Sequence, residues 1–152
     1  MKIIFFLIIF ISTSLFPQTK LFETGLYEVI SSDSCKDGNS YLEYLSEQLC
    51  LGQNPVINVS EFDSIKIASA DFNGKKIFAL TIKLNKQATK RFEEITTKNI
   101  GKRLALVINN EIIIAPIVKA TIPSGLISIE DTEGRIKELE KLLNDEKRNS
   151  KK

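Results

Sequence analysis

The feature that most constrains this chain is a punctuated stretch from Ser64 to Pro116, in which turn and cap residues separate segments of changing hydrophobic period. Ile65 and Ile67 share one strand face, and Asn73-Gly74 follows as a hairpin turn, because both residues tolerate positive φ. Lys76 to Leu84 then places Phe78, Leu80, Ile82 and Leu84 on one side, with Ile77, Ala79, Thr81 and Lys83 on the other, the pattern of a half-buried strand. Asn85 can cap the helix behind it, where Ala88, Phe92 and Ile95 recur at helical spacing. Gly101 reads as the left-handed residue that closes this helix, with Lys98 and Lys102 at its negative end. Leu104 to Ile108 is apolar on both faces and reads as a central strand. Asn109-Asn110 is a two-residue turn, Glu111 to Ala115 the returning strand, and Pro116, which lacks an N–H, an edge or a bend.

The flanks are less sharply written. Gly25 to Ser31 predicts a strand, and Ser31 to Ser40, which contains Asp-Gly, a loop. Tyr41, Leu42, Leu45 and Leu49 fall at helical spacing, so the pattern predicts a short amphipathic helix ending near Cys50. Ser60 to Asp63 reads as a connector. Ile117 to Ile122 continues extended, Pro123-Ser124-Gly125 turns, and Leu126 to Ile129 is a short strand. Thr132 caps a last helix that turns Ile136, Leu139 and Leu143 inward, and residues 145–152 form a charged, fraying tail. This order predicts an α+β fold, an antiparallel or mixed sheet with helices packed on one face as a two-layer sandwich.

Met1-Lys2, the unbroken apolar run Ile3 to Ile11 and the small residues Ser12 to Ser14 have the layout of a secretory signal peptide. The run is shorter than the ~20 apolar residues of a spanning helix, so no permanent membrane span is expected after cleavage. The chain therefore divides into a signal peptide (1–17), an N-terminal strand–loop–helix extension (18–59), an α+β domain (60–144) and the tail (145–152). Export makes the location periplasmic or secreted. In such a compartment the only cysteines, Cys35 and Cys50, read as a disulfide, worth about 3 kcal/mol for a loop of that length. The alternative, a reactive thiol, has no C-x-x-C partner and no histidine to activate it.

The composition removes several kinds of chemistry. The chain has no His, hence neither the commonest general base nor the commonest metal ligand. Its net charge of +2 is far from the basic excess of a phosphate-backbone binder, so nucleic acid is not an expected partner. Glu93 and Glu94 point about 100° apart on a helix and do not converge on one substrate. Gly101-Lys102 lacks the remainder of a phosphate-binding loop. No catalytic residue, cofactor or metal site is assigned, and the expectation is a non-enzymatic protein. One exposed feature could bind: Ile113, with Pro116 and Ile117, can line a sheet edge that accepts an extended peptide by strand addition. Core packing alone also accounts for Ile112-Ile113-Ile114.

The run from Ile95 through Asn99-Ile100-Gly101-Lys102 and Leu104 to Ile108, followed by Asn109-Asn110 and the strand ending in Ala115-Pro116, resembles the periplasmic head region of SecD, the export-motor subunit of the Sec translocase. Asn99, Gly101, Asn109 and Asn110 carry this structural motif, the last two standing where the family usually has Asp-Gly. The resemblance extends over Ser60 to Leu143. It implies an exported head-like module that contacts unfolded or extended polypeptide or Sec translocase components as an accessory to secretion. It does not bring across the proton-driven motor role. The alternative is an envelope structural or interaction module that reuses the fold for an unrelated partner.

Overall fold

The structure, a computed structural model, describes residues 22–35 and 40–150. The expected signal peptide lies outside these residues. Among the described residues nine strands and two α-helices follow one another: β1 (Gly25–Ile30), β2 (Ser40–Tyr44), β3 (Glu47–Leu51), β4 (Ile57–Asn58), β5 (Phe62–Phe72), β6 (Lys75–Leu84), α1 (Lys86–Lys98), β7 (Leu104–Ile108), β8 (Glu111–Ile114), β9 (Leu126–Asp131) and α2 (Glu133–Asn149). The α+β class is as expected, and every strand pairing is antiparallel. The strands form two sheets instead of one. The first runs β2-β3-β1-β7-β8, with β4 also on β1; the second runs β5-β6-β9.

Two apolar clusters form the core, and the larger one holds the two sheets together. The larger joins Leu26, Leu104, Leu106 and Ile108 of the first sheet to Leu80, Ile82, Ile127 and Ile129 of the second, with Phe92 from α1 and Ile136, Leu139 and Leu143 from α2. The helix residues are those the 3.6-residue spacing singled out. Each fully buried Leu or Ile contributes roughly 1.5–3 kcal/mol relative to exposure. β7 is buried on both faces, so its alternate residues, Ala105 and Val107, belong to a second cluster with Tyr27, Leu49, Leu51 and Ile112.

The caps act as the sequence indicates. Asn85 accepts the Ala88 amide at 2.8 Å, and Thr132 accepts that of Arg135. Asn109 and Asn110 sit at φ 48° and 63°, and Gly101 at 83°. These asparagines also do what turn chemistry did not foretell: the Asn110 side chain accepts the Phe22 amide, and the Asn109 amide donates to Thr24.

Four local expectations are corrected. Residues 41–50 are not helical; they form the β2–β3 hairpin, with Leu45 and Ser46 at positive φ in its turn. Leu45, which completed the helical spacing, is 79% exposed, whereas Leu42, Tyr44, Leu49 and Leu51 cover the second cluster with a period of two. Phe62 is no connector residue; it is 1% exposed at the start of β5. Residues 117–122 make no strand, only an isolated bridge from Ile117 to Arg103. Residues 145–149 continue α2 instead of fraying, because Arg148 pairs with Asp145 and Lys147 donates to the Asp63 carbonyl. The Cys35–Cys50 disulfide is present and ties the loop after β1 to β3.

Candidate functional site

β8 is an edge strand, and a bulge controls what it presents. Leu106 pairs with Ile114 and Val107 with Ile112, which leaves Ile113 as the extra residue. Ile113 and Ile114 consequently both pack against the larger cluster, while Ile112 turns to the smaller one. After Ala115 the chain bends at Pro116 and runs antiparallel to residues 102–104. The Leu104 amide donates to the Pro116 carbonyl at 3.2 Å, and the Val118 amide to the Lys102 carbonyl at 2.8 Å. In this arrangement Arg103 and Ile117 form a non-hydrogen-bonded pair, so the N–H and C=O of Ile117 point away from Arg103. No backbone hydrogen bond among the described residues uses them.

The side chains there wall an apolar groove of about 420 Å³ between this bend, α1 and the start of β9. Leu26, Phe92, Leu104 and Val118 form its base; Pro116, Ile117, Ile122 and Leu126 form its sides. Ile117 is 43% and Leu126 45% exposed, so the groove opens to solvent on apolar residues. Of the three edge residues chosen from sequence, Pro116 and Ile117 lie in the groove wall, and Ile113 lies outside it, against the core.

The far wall is fastened to α1 at three points. The buried Thr96 hydroxyl accepts the Ile122 amide at 3.0 Å and donates back to its own helix at Phe92. The Thr97 and Thr121 hydroxyls are 2.9 Å apart. Gly125, at φ 62°, rests directly on Thr89: a Cβ there would lie 2.2 Å from the Thr89 hydroxyl oxygen. The groove is therefore preformed, not assembled from a free loop. Sequence reasoning missed Thr96, Ile122 and Leu126; the signal was an apolar segment bracketed by Pro116 and Pro123.

Below the groove, Asn99 and Gly101 manage the end of α1. The buried Asn99 side chain donates to Glu28 on β1 at 2.8 Å and to the Ile95 carbonyl at 3.0 Å. The Gly101 amide donates to the Val118 carbonyl at 2.9 Å. The motif residues thus hold the helix end, β1 and the bend in one register. A second, more polar cavity of about 500 Å³ lies beside them, lined by Glu28, Ser31, Lys98 and Arg103 among others. It is the larger of the two, but around Val29 and Ile30 it gathers a carboxylate and the cations of Lys98, Lys102 and Arg103, so it is far less apolar than the groove. The groove has the better form of a ligand site, mostly apolar with a few polar groups. Among the described residues no group of three or more His, Cys, Asp or Glu could hold a metal. Nor is any helix among them long and apolar enough to cross a membrane.

Fold and site together define a two-sheet α+β domain with a solvent-open apolar groove at a strand edge. The family described as SecDF, P1 head subdomain, matches residues 41–145, and the chain belongs to it. That range takes in the β2–β3 hairpin as well as the stretch whose motifs carry the resemblance. The protein translocase subunit SecD of Rickettsia conorii is 31% identical over 117 residues, which are 76% of this chain and 21% of that protein. SecDF of Thermus thermophilus is 43% identical over 44 residues, 29% of this chain and 6% of that protein. Two SecDF structures share the fold at a TM-score of 0.57. One, in the super-membrane-facing form, is 21% identical and matched over 78% of this chain and 18% of its own. The other, a membrane component that enhances protein export, is 18% identical and matched over 80% of this chain and 62% of its own. The chain spans about a fifth of the length of the Rickettsia conorii relative.

Proposed function

We propose that this chain is an exported, non-enzymatic head-like domain, periplasmic or secreted, that binds extended or unfolded polypeptide as an accessory to protein secretion. The observation that carries the reading is the pairing of an outward, unused Ile117 N–H and C=O with an apolar groove directly beside them. Strand addition needs both: main-chain bonds give affinity, and a pocket for alternate side chains gives selectivity. A polypeptide in transit is extended and exposes the apolar residues that such a groove buries. Family membership supports the link to export, and Sec translocase components are the partners it points to. The absence of His from the sequence, and of a converging acid–base group among the described residues, supports a binding role over catalysis.

Titration of a fluorescently labelled, unfolded apolar peptide against the purified protein tests the reading. Saturable binding that Ile117→Asp weakens at least tenfold, at an unchanged melting temperature, is expected. No saturation up to millimolar concentration would overturn it. Pull-down from the envelope adds the partner: recovery of Sec components supports the accessory role, and recovery of an unrelated envelope protein alone supports the alternative of a reused fold.

A further inference from the structure

The second sheet has an uncovered face that the groove does not explain. Its register places Lys66, Ala68, Ala70 and Phe72 of β5 beside Thr81, Ala79, Ile77 and Lys75 of β6, all on the side opposite the core. β9 pairs with β6 only as far as Phe78, so residues 70–77 project beyond it as a two-stranded arm, exposed throughout. Phe72, next to the turn, is 65% exposed, and Ile77 is 36% exposed.

Charge is sorted between the two sides of this sheet. On the inner side Asp71 is the cross-strand partner of Lys76, which stands 5.6 Å from the centre of the Phe78 ring; the Glu133 carboxyl, held below the usual range chiefly by its hydrogen bond and charge pairing with Lys137, also feels the Lys76 charge. On the outer side Lys66, Lys75 and Lys83 have no ion-pair partner among the described residues. The carboxylate that the register places there among the described residues, Glu130, lies on the opposite edge strand. Three unneutralised cations thus border an apolar strip that ends in a protruding phenylalanine.

We propose that the outer face of the arm docks on an anionic lipid surface, with Phe72 and Ile77 in the interfacial layer and Lys66, Lys75 and Lys83 on the headgroups. Apolar insertion and attraction of cations to anionic lipid reinforce each other in this arrangement. A second copy of the chain would bring like charges together. A polypeptide would find no pocket, since Ala68, Ala70 and Ala79 make a flat platform and neither cavity is lined by an arm residue. The inference is independent of polypeptide binding in the groove.

The chain has no Trp, so Phe72→Trp supplies a single fluorescent reporter that the apolar N-terminal run cannot mimic. The expected result is a blue shift on adding vesicles of phosphatidylcholine with phosphatidylglycerol, and none with phosphatidylcholine alone. Changing Lys66, Lys75 and Lys83 to Glu in that background should lower partitioning on the order of 100-fold. If the triple Glu variant does not fold, the triple Gln variant gives the same reading with a smaller loss. Ile117→Asp should leave the shift unchanged, which separates this site from the groove. No shift with anionic vesicles, an equal shift with neutral ones, or indifference to the lysines would overturn the proposal. A shift produced by polyglutamate and not by vesicles would assign the face to an acidic polypeptide instead.

Discussion

The buried Thr96 hydroxyl accepts a hydrogen bond from the Ile122 amide at 3.0 Å, in the groove that Ile117 also lines. One helix residue thereby fixes the wall of a site built by a loop. Thr96→Val keeps the shape of the side chain and removes the acceptor, leaving a half-buried N–H without its partner. A loss of about 1–2 kcal/mol is expected in denaturant unfolding, together with weaker binding of extended peptide. Unchanged stability and unchanged peptide affinity would contradict the role given to this bond.

Gly125 and Thr89 offer a sharper test of the same wall. The Cβ of Gly125→Ala would meet the Thr89 side chain at 2.2–2.9 Å, at a φ of 62° that Ala resists. We expect a loss of more than about 2 kcal/mol. The double variant Thr89→Ala/Gly125→Ala should recover part of it, because the collision disappears and the backbone strain stays. Strict additivity of the two changes in thermal or urea unfolding would show that the residues do not touch.

At Gly101 the strain acts alone, since nothing lies within 4 Å of a Cβ built there at φ 83°. Gly101→Val should cost more than about 1 kcal/mol, and Gly101→Asn distinctly less, because Asn tolerates the left-handed region. Equal melting temperatures for the two variants would contradict this account of the helix end.

The Cys35–Cys50 bond joins residues 15 apart and anchors β3, which covers the smaller cluster. Reduction, or Cys35→Ser with Cys50→Ser, should lower stability by about 3 kcal/mol. Mass spectrometry of the non-reduced protein should find two fewer hydrogens than the free-thiol formula. Full-length mass with both thiols free and an unshifted melt would refute the bridge.

Tyr27 gives a pH signature. Burial, reinforced by the nearby Glu23 carboxylate, pushes its hydroxyl up to about 12, while the hydroxyl donates to the Glu23 carbonyl at 2.9 Å. The folded state then holds the proton more tightly than the unfolded state. Stability from this group is complete below pH ~10 and falls by about 1.4 kcal/mol per pH unit as pH rises from there toward 12. Urea unfolding across that range should show the decline, and Tyr27→Phe should flatten it.

How far the sequence could be read follows from where its signals were local. Asn73-Gly74, Asn85, Thr132 and Asn109-Asn110 each dictate their own backbone, so the hairpins and helix starts were legible. Leu42, Leu45 and Leu49 were misleading because three leucines fit a period of 3.6, while the turn at Leu45-Ser46 carries no glycine to announce it. The groove was half legible. Pro116 and Ile117 declare a bend beside an apolar residue. The bulge that turns Ile113 inward, and the contacts of Thr96 with Ile122 and Thr89 with Gly125, depend on pairings between distant segments that no local pattern encodes.

The most direct measurement is a two-dimensional NMR titration of the isotopically labelled protein with an unlabelled extended apolar peptide. The account predicts saturable shifts of the Ile117, Ile122 and Leu126 amides, with a contact between the Ile117 amide hydrogen and the peptide backbone. Shifts confined to the polar cavity around Lys98 and Arg103, or none at saturating peptide, would contradict it.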